Sequence, residues 1–266
     1  MENDIRVNSW DELNEEIFRE AWQEDIGRFR LPYAFRGMKD QTHDLKTTLI
    51  RLGGPYDRLE GNLLRNFIKY AHRDATWDNS IWNWLSLAQH HGLPTRLTDW
   101  TYSPFVALHF VTEDLEQFDH DGVIWCVDFI KAREYLPEQL RQSLIDENAY
   151  VFHVQLLSQF VESLAELDRL SDDVFMIFLE PPSLDDRIVN QSALFSFMSS
   201  PTSVLNEWLM DKPDLYKRII IPASLKWEVR DKLDQLNITE RVLFPGLDGL
   251  GRWLKRQYSP GKVARG

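Results

Sequence analysis

Two uninterrupted apolar runs constrain this chain most: Gly122-Val123-Ile124-Trp125-Cys126-Val127 and Val174-Phe175-Met176-Ile177-Phe178-Leu179. Each has the length of a strand, and Pro181-Pro182 stops the second, so both read as central strands of a sheet. Other elements interleave with them. Ser9-Trp10-Asp11-Glu12 has the form of a capping box, and Leu13, Ile17, Phe18, Ala21 and Trp22 then recur at helical spacing, which predicts a helix to about Gly27. Tyr33-Ala34-Phe35, between Pro32 and Gly37, predicts a short strand with Arg36 at its end. Helices are predicted over residues 59–71 and from about Ser80 to His91, the second stopped by Gly92 and Pro94. Ser103 and Pro104 stand as N-cap and first residue of another helix, which continues through Phe110. Residues 193–198 and 218–221 are further strand candidates, and residues 223–236 a helix ahead of the apolar Val242-Leu243-Phe244. Residues 131–170 are mostly helical by pattern, an insertion between strands. The class is α+β or mixed α/β, a mixed sheet core with flanking helices.

The length of 266 residues allows one large domain or two small ones. No repeat, low-complexity tract or Gly/Ser-rich linker divides the chain, so a single elaborated domain is expected, with a core over residues 30–200 and an α/β extension over 201–266. The apolar share of 43% and ten tryptophans argue for a packed interior. A net charge of −12 repels phosphate backbones and anionic membranes, which argues against duplex nucleic acid as a partner but leaves room for a small basic pocket. The lone Cys126 excludes an internal disulfide and a cysteine-rich zinc site, and its apolar neighbours make it a buried structural thiol. The N-terminus lacks a signal-peptide pattern and no stretch approaches the ~18 apolar residues of a membrane span, so the cytoplasm is the expected location.

Three stretches carry more polar chemistry than packing requires. In Phe35-Arg36-Gly37 a cation follows a strand, and the glycine admits a close approach of backbone or ligand; a surface arginine before a turn is the plain alternative. Gln89-His90-His91-Gly92-Leu93-Pro94-Thr95-Arg96-Leu97-Thr98-Asp99-Trp100-Thr101 puts two imidazoles, a guanidinium and a carboxylate into one loop between helices. Equally, Asp99 can pair with Arg96, and the histidines can seal a helix C-terminus. Adjacent histidines point about 100° apart on a helix and no H-x-x-x-H spacing occurs, so no metal is expected. Asn190-Gln191 places amides before a strand, where turn amides are common. Trp100, Phe105, Phe110 and Trp125 are expected in the core.

Taken together, Phe35-Arg36-Gly37, the run from Trp84 to Phe110, and Arg187 with Asn190-Gln191 resemble the FRG-domain family of bacterial proteins over about residues 30–200. Leu243-Phe244-Pro245-Gly246-Leu247-Asp248-Gly249-Leu250 is similar to the tail of many such proteins. The motif order in turn resembles the arginine-type ADP-ribosyltransferases: an aromatic-Arg-Gly strand, a polar strand before a Val-Ala-x-x-Phe helix, here Val106-Ala107 and Phe110, and a third motif at a strand. That resemblance implies NAD as substrate and a protein acceptor. The implied cofactor-binding residues are Arg36, Gly37, Gln89, His90, Thr95, Arg96 and Thr101, with Arg36 gripping phosphate through forked, charge-assisted bonds. Asp99 and Gln191 are the implied catalytic pair. The chain departs from the pattern at Gln191, where the transferases carry a glutamate, and a missing electrostatic partner typically costs about 2–4 kcal/mol of barrier. Two other readings stay open: a non-catalytic nucleotide-sensing or protein-interaction module, and a metal-independent nuclease or other hydrolase of a phosphate-containing substrate.

Overall fold

A computed structural model describes residues 3–71, 80–183 and 185–260 of the chain. Ten strands occur among them: β1 (Asp4–Arg6), β2 (Trp22–Gln23), β3 (Arg28–Phe29), β4 (Tyr33–Met38), β5 (Thr98–Thr101), β6 (Gly122–Asp128), β7 (Phe152–His153), β8 (Met176–Glu180), β9 (Ala193–Met198) and β10 (Tyr216–Ile221). Eight form one mixed sheet in the order β1-β10-β6-β4-β5-β9-β8-β7, and β2 and β3 make a separate antiparallel hairpin. The pairs β1–β10 and β7–β8 are parallel and the other five antiparallel. The two apolar runs are β6 and β8, every residue of β6 being buried.

Both faces of the sheet are covered. Alternate residues Ala34, Trp100, Trp125, Phe178 and Leu194 point into a cluster closed by Leu205 and Leu209 of the helix Leu205–Met210. On the opposite face Phe35, Ile124 and Cys126 meet Ala107 and Leu108 of the helix Pro104–Val111. Farther along that face, Ile177, Leu179, Phe195 and Phe197 meet Trp82 and Leu85 of the helix Ile81–His90. Full burial pushes the Cys126 thiol up to about 12, which leaves it inert.

The caps follow their sequence signals. Ser9 Oγ accepts the amide of Glu12, while the Glu12 carboxylate accepts from Asn8 rather than from Ser9. Ser103 Oγ accepts the amide of Val106, with Pro104 in the first turn. Beyond the helix Ile81–His90, Gly92 takes a positive φ of 80° while its amide reaches Gln89 and that of Leu93 reaches Ala88, the paired bonds of a Schellman ending.

Three expectations are corrected. The first helix stops at Phe18, and the predicted continuation to Gly27 is the hairpin β2–β3; helical spacing at Ala21 and Trp22 arises from chain that has already turned, leaving Ala21 buried and Trp22 exposed. Arg36 lies inside β4, because β6 pairs with Arg36, Gly37 and Met38 as well as with the residues before them. The loop between the helices contains strand β5, formed because β9 supplies a partner for each of residues 98–101. The apolar Val242 and Leu243, to which no element was assigned, end a short helix, Glu240–Leu243. Of the four aromatics assigned to the core, Trp100 and Trp125 are buried, while Phe105 and Phe110 are partly buried, Phe105 packing against the core cluster.

Candidate functional site

The sheet parts in its middle. β4 and β5 are neighbours, yet only Phe35 and Thr101 pair between them, whereas β6 holds the other edge of β4 along its whole length. Past that one bridge the strands diverge, and a cavity of about 330 Å³ opens there. Its walls include Phe35 from one core cluster and Phe195 from another. Arg36, Asp99 and Gln191, far apart in sequence, all line it.

Divergence strips β5 of strand partners on its β4 side, and Arg36 fills the gap: its Nη1 donates to the Asp99 carbonyl oxygen at 2.6 Å and lies 3.9 Å from the Asp99 carboxylate. Its Nε is buried and has no hydrogen-bond partner among the described residues. Burial lowers the pKa of Arg36, with Asp99 opposing and Arg51 adding to the effect. A guanidinium held this way has donor capacity to spare. Gln89 orients the carboxylate of Asp99, its Nε2 donating to both oxygens at 3.1 Å. The Gln89 carbonyl oxygen in turn accepts from Thr95 Oγ1 at 2.6 Å.

The far wall comes from the helix Asp186–Asn190 and the residue after it. His90 Nε2 sits 2.6 Å from Asp185, whose carboxylate also caps that helix through the amide of Ile188. Burial opposes ionisation of Asp185, but the Ile188 amide and His90 hold its carboxyl below the usual range. Arg187 and Gln191 face the cavity, with Thr101 Oγ1 donating to the Gln191 carbonyl at 2.7 Å. The Gln191 side chain donates from Nε2 to the Leu243 carbonyl at 2.9 Å, so part of its amide serves the tail of the chain.

Two assignments change. Thr95 is fully buried and does not line the cavity, acting on it only through Gln89. Arg96 is a structural hub: it is 2% exposed, and its guanidinium binds Glu60 at 2.6–3.0 Å, Asp168 at 2.7 Å and the Ser199 carbonyl at 3.1 Å. It therefore neither lines the cleft nor pairs with Asp99. Gly37 does line the cavity and serves packing as well, because an added Cβ would stand 1.8 Å from the Ala107 carbonyl oxygen of the helix against β4. Lys39, His43 and Glu113 also line the cavity and had no role in the sequence reading, and Arg187, which entered there only through the family resemblance, lines it too. For Lys39 a local signal exists, its place just past the end of β4; the others depend on where distant segments meet. Among the described residues no group of three or more His, Cys, Asp or Glu side chains is placed to hold a metal.

Residues 31–120 match the family model of the FRG domain. The chain carries an FRG domain. The match ends short of the third motif, so the FRG domain supplies Arg36, Gln89, His90, Asp99 and Thr101, while Arg187 and Gln191 reach the cavity from beyond it. No curated protein and no solved structure matches the chain.

Proposed function

We propose that the cavity in the parted sheet binds the phosphates of a nucleotide, NAD foremost, and that Asp99 serves ADP-ribosyl transfer to a protein acceptor or NAD cleavage there. The observation that carries this reading is Arg36: a guanidinium in the cavity wall with a buried Nε that no group among the described residues satisfies. A ligand phosphate completes such a group with forked, charge-assisted bonds. Arg187 adds a second cation to the walls. The Asp99 side chain, 60% exposed and aimed by Gln89, offers the negative charge that an oxocarbenium-like transition state needs and that Gln191 lacks.

Titration calorimetry with NAD, run beside a nicotinamide-release assay, tests this. Arg36→Ala is expected to weaken NAD binding about tenfold or more, since bonds to a charged partner contribute about 1.5–3 kcal/mol. Asp99→Asn is expected to lower turnover while leaving affinity nearly unchanged, because its interaction strengthens in the transition state. A wild-type protein that ignores NAD would overturn the reading. The engagement of Gln191 with Leu243 favours a second one, a nucleotide sensor without chemistry; NAD binding with no nicotinamide release would select it.

A further inference from the structure

Arg187 is a cation in the cavity wall that, among the described residues, forms no ion pair and donates no side-chain hydrogen bond. Its guanidinium instead lies over the ring of Phe244, 5.1 Å from the ring centroid. Phe244 does not line the cavity and comes from the C-terminal segment, well outside the FRG match. That segment is clamped to the same wall. Asn190 Nδ2 donates to the Val242 carbonyl at 2.8 Å and Gln191 Nε2 to the Leu243 carbonyl at 2.9 Å. The ring of Phe244 meets Phe110 edge-on at 6.3 Å and carries Arg252 at 4.3 Å. The clamp is itself tied down from behind. Gly249 lets the helix Leu247–Gln257 approach until an added Cβ would stand 1.8 Å from the Phe244 carbonyl oxygen, and Arg256 of that helix binds Glu240 and Asp234 at 2.6–2.8 Å.

We propose that Phe244 is a positioning residue that holds Arg187 in the cavity wall as a second anion-gripping cation opposite Arg36, so that the C-terminal segment is part of the binding site. The proposal rests on the reading that the cavity takes an anionic ligand. A long side chain with no partner loses several rotors' freedom when it grips a phosphate. A ring that already holds the planar guanidinium in place removes part of that cost before the ligand arrives.

The test follows the Arg187 Nε–H resonance by NMR and the affinities for inorganic pyrophosphate and for NAD by calorimetry, in the full chain. In Phe244→Leu the ring-current displacement of the Arg187 signal should vanish, and both affinities should fall about fivefold, the scale of one cation–π contact. Phe244→Tyr, which keeps the ring, should restore signal and affinity. Phe244→Leu combined with Arg187→Ala should bind no more weakly than Arg187→Ala alone. An unmoved resonance, an unchanged affinity or additive losses would overturn the proposal. Should Phe244→Leu fail to fold, Arg187→Lys replaces it: the charge remains, the planar stack is lost, and wild-type affinity would overturn the proposal equally. Pyrophosphate binding without NAD binding defeats the NAD reading and leaves this proposal standing, whereas a wild type that binds neither defeats both.

Discussion

His109 shows how a single side chain can record its surroundings. It is fully buried next to Phe110, its Nδ1 accepts from Arg230 at 2.9 Å, and its Nε2 has no partner among the described residues. Burial, reinforced by Arg230, pushes its pKa down to about 3, so it stays neutral in the folded chain. In the unfolded chain it takes up a proton near pH 6.5. The folded pKa is the lower of the two, so stability is intact above pH 6.5 and drains away as pH falls from there toward about 3, by at most about 1.4 kcal/mol per pH unit. His109→Asn keeps an acceptor for Arg230 and cannot titrate. Its melting temperature should fall less than that of the wild type between pH 7 and pH 5; equal slopes would show that other groups carry the acid sensitivity.

Among the elements, the contact between β4 and the helix Pro104–Val111 sets one wall of the cavity, since β4 carries Arg36, the last turn of that helix carries Phe110, and Glu113 follows it. Gly37 is where they touch. A methyl group there overlaps the Ala107 carbonyl at 1.8 Å, and backbone cannot rotate out of the way as a side chain can. Gly37→Ala should therefore destabilise the protein by about 1–3 kcal/mol or more, the range for overpacked interiors. Were the glycine there to admit a ligand instead, the same substitution would weaken binding and spare stability; urea unfolding beside a ligand titration separates the two.

At the scale of the whole molecule, the chain closes on itself through the sheet. β10, from the last quarter of the sequence, lies between β1 and β6, and β1 comes from the first residues. A chain ended after residue 200 would leave β1 without the strand it pairs with and turn the fully buried β6 into an edge. Edges of that kind pair with other chains. The truncated protein is expected to aggregate and to show no cooperative melt by circular dichroism. A soluble, cooperatively melting 1–200 fragment would mean that β10 is dispensable.

Local chemistry was legible wherever neighbours in sequence do the work: the Ser9 and Ser103 caps, the Gly92 ending, and the apolar runs that became β6 and β8. The polar residues of the site were legible as a surplus that packing did not require, and Arg36, Gln89, His90, Asp99, Thr101 and Gln191 do share one cavity. What those residues do there depended on partners no local pattern reveals. Arg96 and Asp99 stand three residues apart and look like a pair, yet Arg96 turns inward to Glu60 and Asp168 while Asp99 faces Arg36 and Gln89. Burying a guanidinium is tolerable only where acceptors converge on it, and for Arg96 only long-range packing brings the two carboxylates together. The parting of β4 from β5, which makes the cavity, arises in the same way: a strand's pairing is fixed by both of its neighbours, and in this sheet β6 claims β4 while β9 claims β5.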